Sequence, residues 1–136
     1  MKNKENTNAF LIHIAAFSGY IIPFGSVIAP LIVWQTVKGS SAFLDKHGKE
    51  AINFNLSFSV YLFLLNLTFI PLVLASFSNN LHNFDFEWGA NVFNLFGISS
   101  IIGLIGLVKI ALIVLAASKA NKGETYEYPL TIQFLK

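Results

Sequence analysis

A chain of 136 residues has room for one ordinary domain; 54% of it is hydrophobic and only 12% is charged. Soluble domains carry about 25% charge, so this is a membrane composition, and a net charge of +2 is too small for a nucleic-acid surface. The lack of cysteine excludes disulfides, thiolate metal sites and a cysteine nucleophile.

Every basic residue is a lysine, and all but Lys109 fall between apolar runs. Lys2 and Lys4 precede an apolar run from Ala9, as in a secretory signal. Apolar character resumes at Val27 to Val37 with no small-residue cleavage site between, so a retained anchor is expected. "GYIIPFGSVIAP" interrupts the run with Gly19, Pro23, Gly25 and Pro30. Pro23 lacks a donor, Gly25 permits a sharp turn, and Ser26 is a fair N-cap. Pro30 suits a position in or just past the first turn of a new helix. The spacing predicts helices over about Ala9 to Ile22 and Ser26 to Val37, with a hairpin turn on Gly19, Pro23 and Gly25. Each would be roughly 20 Å long or less, short of the ~20 residues of a comfortable span. Broken backbone at membrane depth must be covered by protein, so this hairpin is expected to pack on the helices that follow.

"LDKHGKEAINFNLSF", residues 44 to 58, concentrates polar side chains at the mouth of the next apolar run. His47, Glu50, Asn53 and Ser57 recur at spacings of three, three and four and share one helix face. The stripe reads either as the interfacial start of a helix, with Glu50 near its positive end, or as a face that gates a path, handles protons or binds a partner's backbone.

Two runs are long enough to span, about Glu50 to Phe77 and Val92 to Ser118. As helices they reach roughly 40 Å each against a hydrocarbon core of about 30 Å. Pro71 is expected to kink the first, with Thr68 bonding a freed carbonyl. The linker between them, residues 78 to 91, has Asp85 and Glu87 but no lysine, whereas both termini and the 38–49 loop are basic. Lysine asymmetry then places both termini and the 38–49 loop in the cytoplasm and the linker outside.

Lys109 lies within the second run, roughly 15 Å along the helix from Lys119. A lysine there is a functional candidate, though it can also snorkel toward the cytoplasmic face; Glu50 is its expected partner. Gly97, Ser99, Gly103 and Gly106 suit close helix packing or dimerisation. Asn53, Asn55 and Asn66 could cross-link helices. After a C-capping Gly123, Tyr126 and Tyr128 suit the interfacial belt, and Leu130, Ile132 and Phe134 alternate as an extended segment would. His13, His47 and His82 fall in different elements and do not suggest a metal site. With no catalytic arrangement, phosphate loop or glycine-rich fingerprint, the chain is expected to be neither an enzyme nor a cofactor protein.

Three stretches, "HIAAFSGYIIPFGSVIAPLIVW", "LDKHGKEAINFN" and "ASKANKGETYEYPLTIQFLK", resemble a known family. It comprises small bacterial four-helix membrane proteins of unknown function, related to the twenty-kilodalton inner-envelope component of the chloroplast protein-import translocon. The resemblance implies a four-helix integral membrane fold and points to Gly19, Pro23, Gly25, His47, Gly48, Glu50 and Asn53. That family usually has an apolar residue where Lys109 stands.

The expectation is thus an all-α, single-domain (1–136) integral membrane four-helix bundle, its first two helices a short hairpin and its last two long. It would sit in the inner (cytoplasmic) membrane among lipids, bind other membrane proteins or copies of itself, and bind no nucleic acid. Protein transport or envelope maintenance would be its role, with an oligomeric channel or small-solute carrier as the alternative. The candidate polar face is His47, Glu50, Asn53 and Lys109.

Overall fold

The computed structural model describes residues 2–83 and 88–136. Among these the chain is helical, with no strand. The helices are α1 (Lys2–Ile14), α2 (Gly25–Val37), α3 (Ala42–Asn83) and α4 (Trp88–Asn121), and a 3-10 segment (Ala15–Tyr20) follows α1. Of the expected external linker, Asp85, Glu87 and the side chain of His82 lie outside the described residues.

The first apolar region departs from expectation in three ways. The α-helix begins at Lys2, because the polar start of the chain, "KNKEN", is rich in good helix formers. It gives way at Ala15 to a 3-10 segment whose end is tied by Ile21 and Ile22 N–H groups, both donating to the Ser18 carbonyl. The N-cap of α2 is Phe24, in the left-handed region at φ 61°, with no side-chain cap. Ser26 therefore does not cap; it lies one residue inside the helix.

Gly19 and Gly25 matter here through close approach. A Cβ on Gly19 would fall 2.6 Å from the Ser26 Cβ, and one on Gly25 would fall 2.6 Å from the Ser18 carbonyl oxygen. Gly25→Ala is expected to cost roughly 1–3 kcal/mol by overpacking. Gly39→Ala, where nothing lies within 4 Å, is the control. Unfolding of both variants in mixed micelles tests this; equal stability would show that the turn tolerates a side chain.

Two compact units make up the chain: Met1–Ser59 with Ile110–Lys136, and Val60–Lys109. In the first, Ala9, Ile12, Trp34, Leu44, Ala51, Ile52 and Ala120 form one cluster, and Ala16, Phe54, Ile113, Ala116 and Tyr128 another. The buried alanines let backbones approach closely. α1, the 3-10 segment and α2 pack on one another. Ser41 caps α3, its Oγ accepting from the Leu44 N–H. α4 ends in a Schellman motif: Gly123, at φ 80°, donates to Ala120 and Glu124 donates to Lys119.

In the second unit, the stretches of α3 and α4 carry exposed Phe63, Leu64, Leu67, Leu74, Leu104 and Leu107. Leu62, Leu65 and Phe69 face Ile101, Ile102 and Ile105 across an apolar cleft of about 170 Å³. α3 continues through Pro71 to Asn83. Thr68 bonds its own Leu64 carbonyl, not the Leu67 carbonyl that Pro71 leaves free. Asn66 likewise turns back to Leu62, and Asn55, in the first unit, to Ala51, so neither amide cross-links helices. Among the described residues no atom outside the local helix lies within 4 Å of where a Cβ on Gly97, Gly103 or Gly106 would sit, so no packing there rests on these glycines.

Among the described residues two helices are long and apolar enough to cross a membrane, Ala42–Ala75 and Ser99–Asn121. None of the most apolar window of the first is buried, and 22% of that of the second is. Apolar helices left this bare in water would be an aggregation liability, whereas lipid covers them without penalty.

Candidate functional site

The polar stripe on α3 holds the C-terminal tail, residues 124–136. The Glu50 Oε2 accepts the Tyr128 N–H at 3.2 Å. Asn53 behaves as a peptide group placed in a side chain. Its Oδ1 accepts from the N–H groups of Phe134 (3.1 Å) and Leu135 (2.8 Å), and its Nδ2 donates to the Leu135 carbonyl at 2.9 Å. The Ser57 Oγ accepts the Ile132 N–H at 2.8 Å and donates to the Asn53 carbonyl at 2.7 Å. An extended segment has no ladder of its own, so its backbone groups need such partners. Lys46 and Glu127 add an exposed ion pair at 2.8 Å. Beside these contacts runs an open cleft of about 250 Å³, flanked by Lys46, Lys49, Glu50, Gln133 and Lys136.

Tyr128 is buried in protein. It is 6% exposed, and its ring stacks on Phe54 with centroids 4.0 Å apart and planes 9° from parallel. Its hydroxyl lies 2.9 Å from the Nδ1 of His13. The other nitrogen of His13, Nε2, lies 2.8 Å from the Nδ1 of His47. Both histidines are fully buried, and the last nitrogen, the Nε2 of His47, approaches the Glu124 backbone without completing a hydrogen bond. Tyr128, His13 and His47 thus form one buried chain joining the tail, α1 and α3. Desolvation, and then the neighbouring His47, hold the His13 imidazole down to about 3, well below its ordinary 6.5. Burial also pushes the Tyr128 phenol up.

A second cluster fixes α2 on α3. Trp34 lies against Gly48, and its Nε1 donates to the Asp45 Oδ1 at 3.2 Å. Asp45 also pairs with Lys49 at 2.6 Å, and the Lys38 Nζ sits 5.3 Å from the Trp34 ring centroid.

The structure therefore brings together His47, Glu50 and Asn53 from the expected polar face, with Ser57 beside them. Lys109 is the last residue of the other unit, and the Glu50 carboxylate is engaged by the Tyr128 N–H where Lys109 was the expected partner. His13 and Tyr128 went unrecognised as site residues. The contacts that define them are 115 and 34 residues apart in sequence, beyond any local periodicity. One signal was available: a histidine inside "FLIHIAAF" has to find a hydrogen-bond partner once buried. Among the described residues no group of three or more metal-binding side chains converges.

A model of the MamF/MmsF group, the magnetosome magnetite crystal formation protein family, matches residues 4–135. The chain belongs to this family. The match overturns the resemblance to relatives of the chloroplast import component. The "GYIIPFG" turn, the "HGKEAINF" stripe and the "KANKGE" cap with its tail are the pieces of this small helical fold, and they do not carry a translocation role with them. No curated protein and no solved structure matches the chain. Membership of the magnetosome family agrees with a membrane location and with the two bare apolar helices.

Proposed function

We propose that this protein is a multi-pass membrane protein that takes part in magnetite crystal formation without catalysing a reaction itself. The family match over residues 4–135 carries the reading. The exposed apolar lengths of α3 and α4 support the membrane location. The protein acts by contact, with other membrane proteins or copies of itself, and the family match lends no support to protein transport or to a channel.

Both termini lie on the cytoplasmic face in this reading. Lysines dominate the three segments concerned, and the first unit gathers α1, the α2–α3 connection and the tail.

In-frame deletion of the gene in a magnetite-forming cell, with electron microscopy of the crystals, tests the role. The expected result is a shifted crystal size or number that a wild-type copy restores. Crystals indistinguishable from those of the parent would overturn the reading.

A further inference from the structure

Three elements far apart in sequence meet at the buried Tyr128–His13–His47 chain, and its geometry has consequences for the tail. We propose that this chain is a proton-operated latch: neutral histidines hold the C-terminal tail, residues 124–136, on α3, and protonation releases it. The proposal goes beyond the role in crystal formation and stands independently of it.

The hydrogen bonding is satisfied by neutral rings in two ways. In one, the Tyr128 hydroxyl donates to His13 Nδ1, His13 Nε2–H donates to His47 Nδ1, and the His47 proton sits on Nε2. In the other every donor is reversed. One added proton leaves the bonds possible but places a cation in a dry site. A second sets N–H against N–H across the 2.8 Å contact between the rings.

Among the described residues no carboxylate hydrogen-bonds either imidazole. On α3, Glu50 is engaged by the Tyr128 N–H, Asp45 is held by Lys49 and Trp34, and Lys46 adds like charge beside His47. On the tail, Glu127 is paired with Lys46, and the Glu124 carboxylate is paired with Lys119 of α4 at 3.0 Å. Tyr126 stands against Tyr128 edge to face, and Phe43 of α3 covers His47 with centroids 4.4 Å apart. From α1 and the 3-10 segment the neighbouring core residues are apolar: Ala9, Ile12 and Ala16.

The outer face of the tail is open: Leu130, Ile132 and Phe134 are exposed, and Leu130 is held at φ 58°, in the left-handed region that a non-glycine residue rarely adopts. Its other contacts are the stack of Tyr128 on Phe54, the packing of Tyr126 and Leu135 on the core, the ion pairs of Glu127 with Lys46 and Glu124 with Lys119, and the side-chain hydrogen bonding of Glu50, Asn53 and Ser57. Freed of the tail, that stripe would offer the same acceptors and donors to another extended segment.

The sign follows from the depressed value of His13. Above pH 6.5 the ring is neutral whether the tail is held or free, so the latch is at full strength. As pH falls from 6.5 toward about 3, only the released form takes up the proton. Were the released ring to regain its ordinary 6.5, one such histidine would raise the released population at most about thirtyfold between roughly pH 7.5 and 5.

The lack of native cysteine makes the test clean: a nitroxide on Gln133→Cys in the full-length protein, in lipid nanodiscs, followed from pH 8 to 4.5. The expected result is a mobile component that grows as pH falls while far-ultraviolet circular dichroism stays constant. In a His13→Gln background, where the amide can still bond but does not titrate, the growth should shrink, and adding His47→Gln should abolish it. Should that variant fail to fold, Tyr128→Phe keeps the ring stack and removes the hydroxyl, and it should loosen the tail already at pH 8. A label whose mobility ignores pH, mobility that rises only with loss of helix, or an unchanged response in the folded variant would each overturn the latch.

Discussion

Gly48→Ala is expected to destabilise the protein by about 3 kcal/mol, at the upper end of overpacking costs. A methyl group there would fall inside the van der Waals shell of the Trp34 indole, at Cδ1, Cγ and Nε1. The indole cannot yield cheaply. It is 7% exposed, and it donates to Asp45, which Lys49 also holds. Moving it would strip an N–H of its partner and open the seam between α2 and α3. Reversible unfolding in mixed micelles, run as a double-mutant cycle, isolates the clash. Gly48→Ala should cost far less in a Trp34→Leu background, where no indole meets the new methyl. The same penalty in both backgrounds would place the cause in the helix itself.

Removing the amide of Asn53 should free the tail without disturbing the helices. Asn53→Leu keeps the volume but deletes the partners of Phe134 N–H, Leu135 N–H and the Leu135 carbonyl. At about 1 kcal/mol for each bond, opening of residues 130–136 should become roughly a hundredfold easier, and amide exchange there should quicken accordingly. Exchange in α1 and α2 should hardly change, because Asn53 bonds the tail and not those helices. Ser57→Ala should show a weaker effect confined to Ile132. Undiminished protection of the tail in Asn53→Leu would show that another contact anchors it.

The fold was legible wherever local rules suffice. Gly123 ends α4 as expected because only its φ of 80° lets the chain close the last carbonyls. The polar stripe was visible as a set of residues on one face, since spacings of three and four fix that on any helix. Its purpose was not. Lys109 was the expected partner of Glu50 because both sit on the cytoplasmic half of long helices; the contact that no local rule offered is the backbone N–H, 78 residues away, that the Glu50 carboxylate accepts. Tyr128 was assigned to the membrane interface from its amphipathic ring, a local property. Its burial depends on Phe54 and His13, which no reading of the tail alone contains.

By itself the sequence determined the solvent and the architecture. Runs of apolar residues too long and too bare for a soluble core demand lipid, and helices are how such runs satisfy their own backbone there. It also placed the turn before α2 and the end of α4 at Gly123, because Gly and Pro act within a few positions of themselves, but not the start of α1 or the cap of α2. The tertiary structure decided which polar groups meet. A buried hydrogen bond is set by the approach of two surfaces, and His13, His47 and Tyr128 come within bonding distance only after α1, α3 and the tail have packed around the same alanines and aromatic rings.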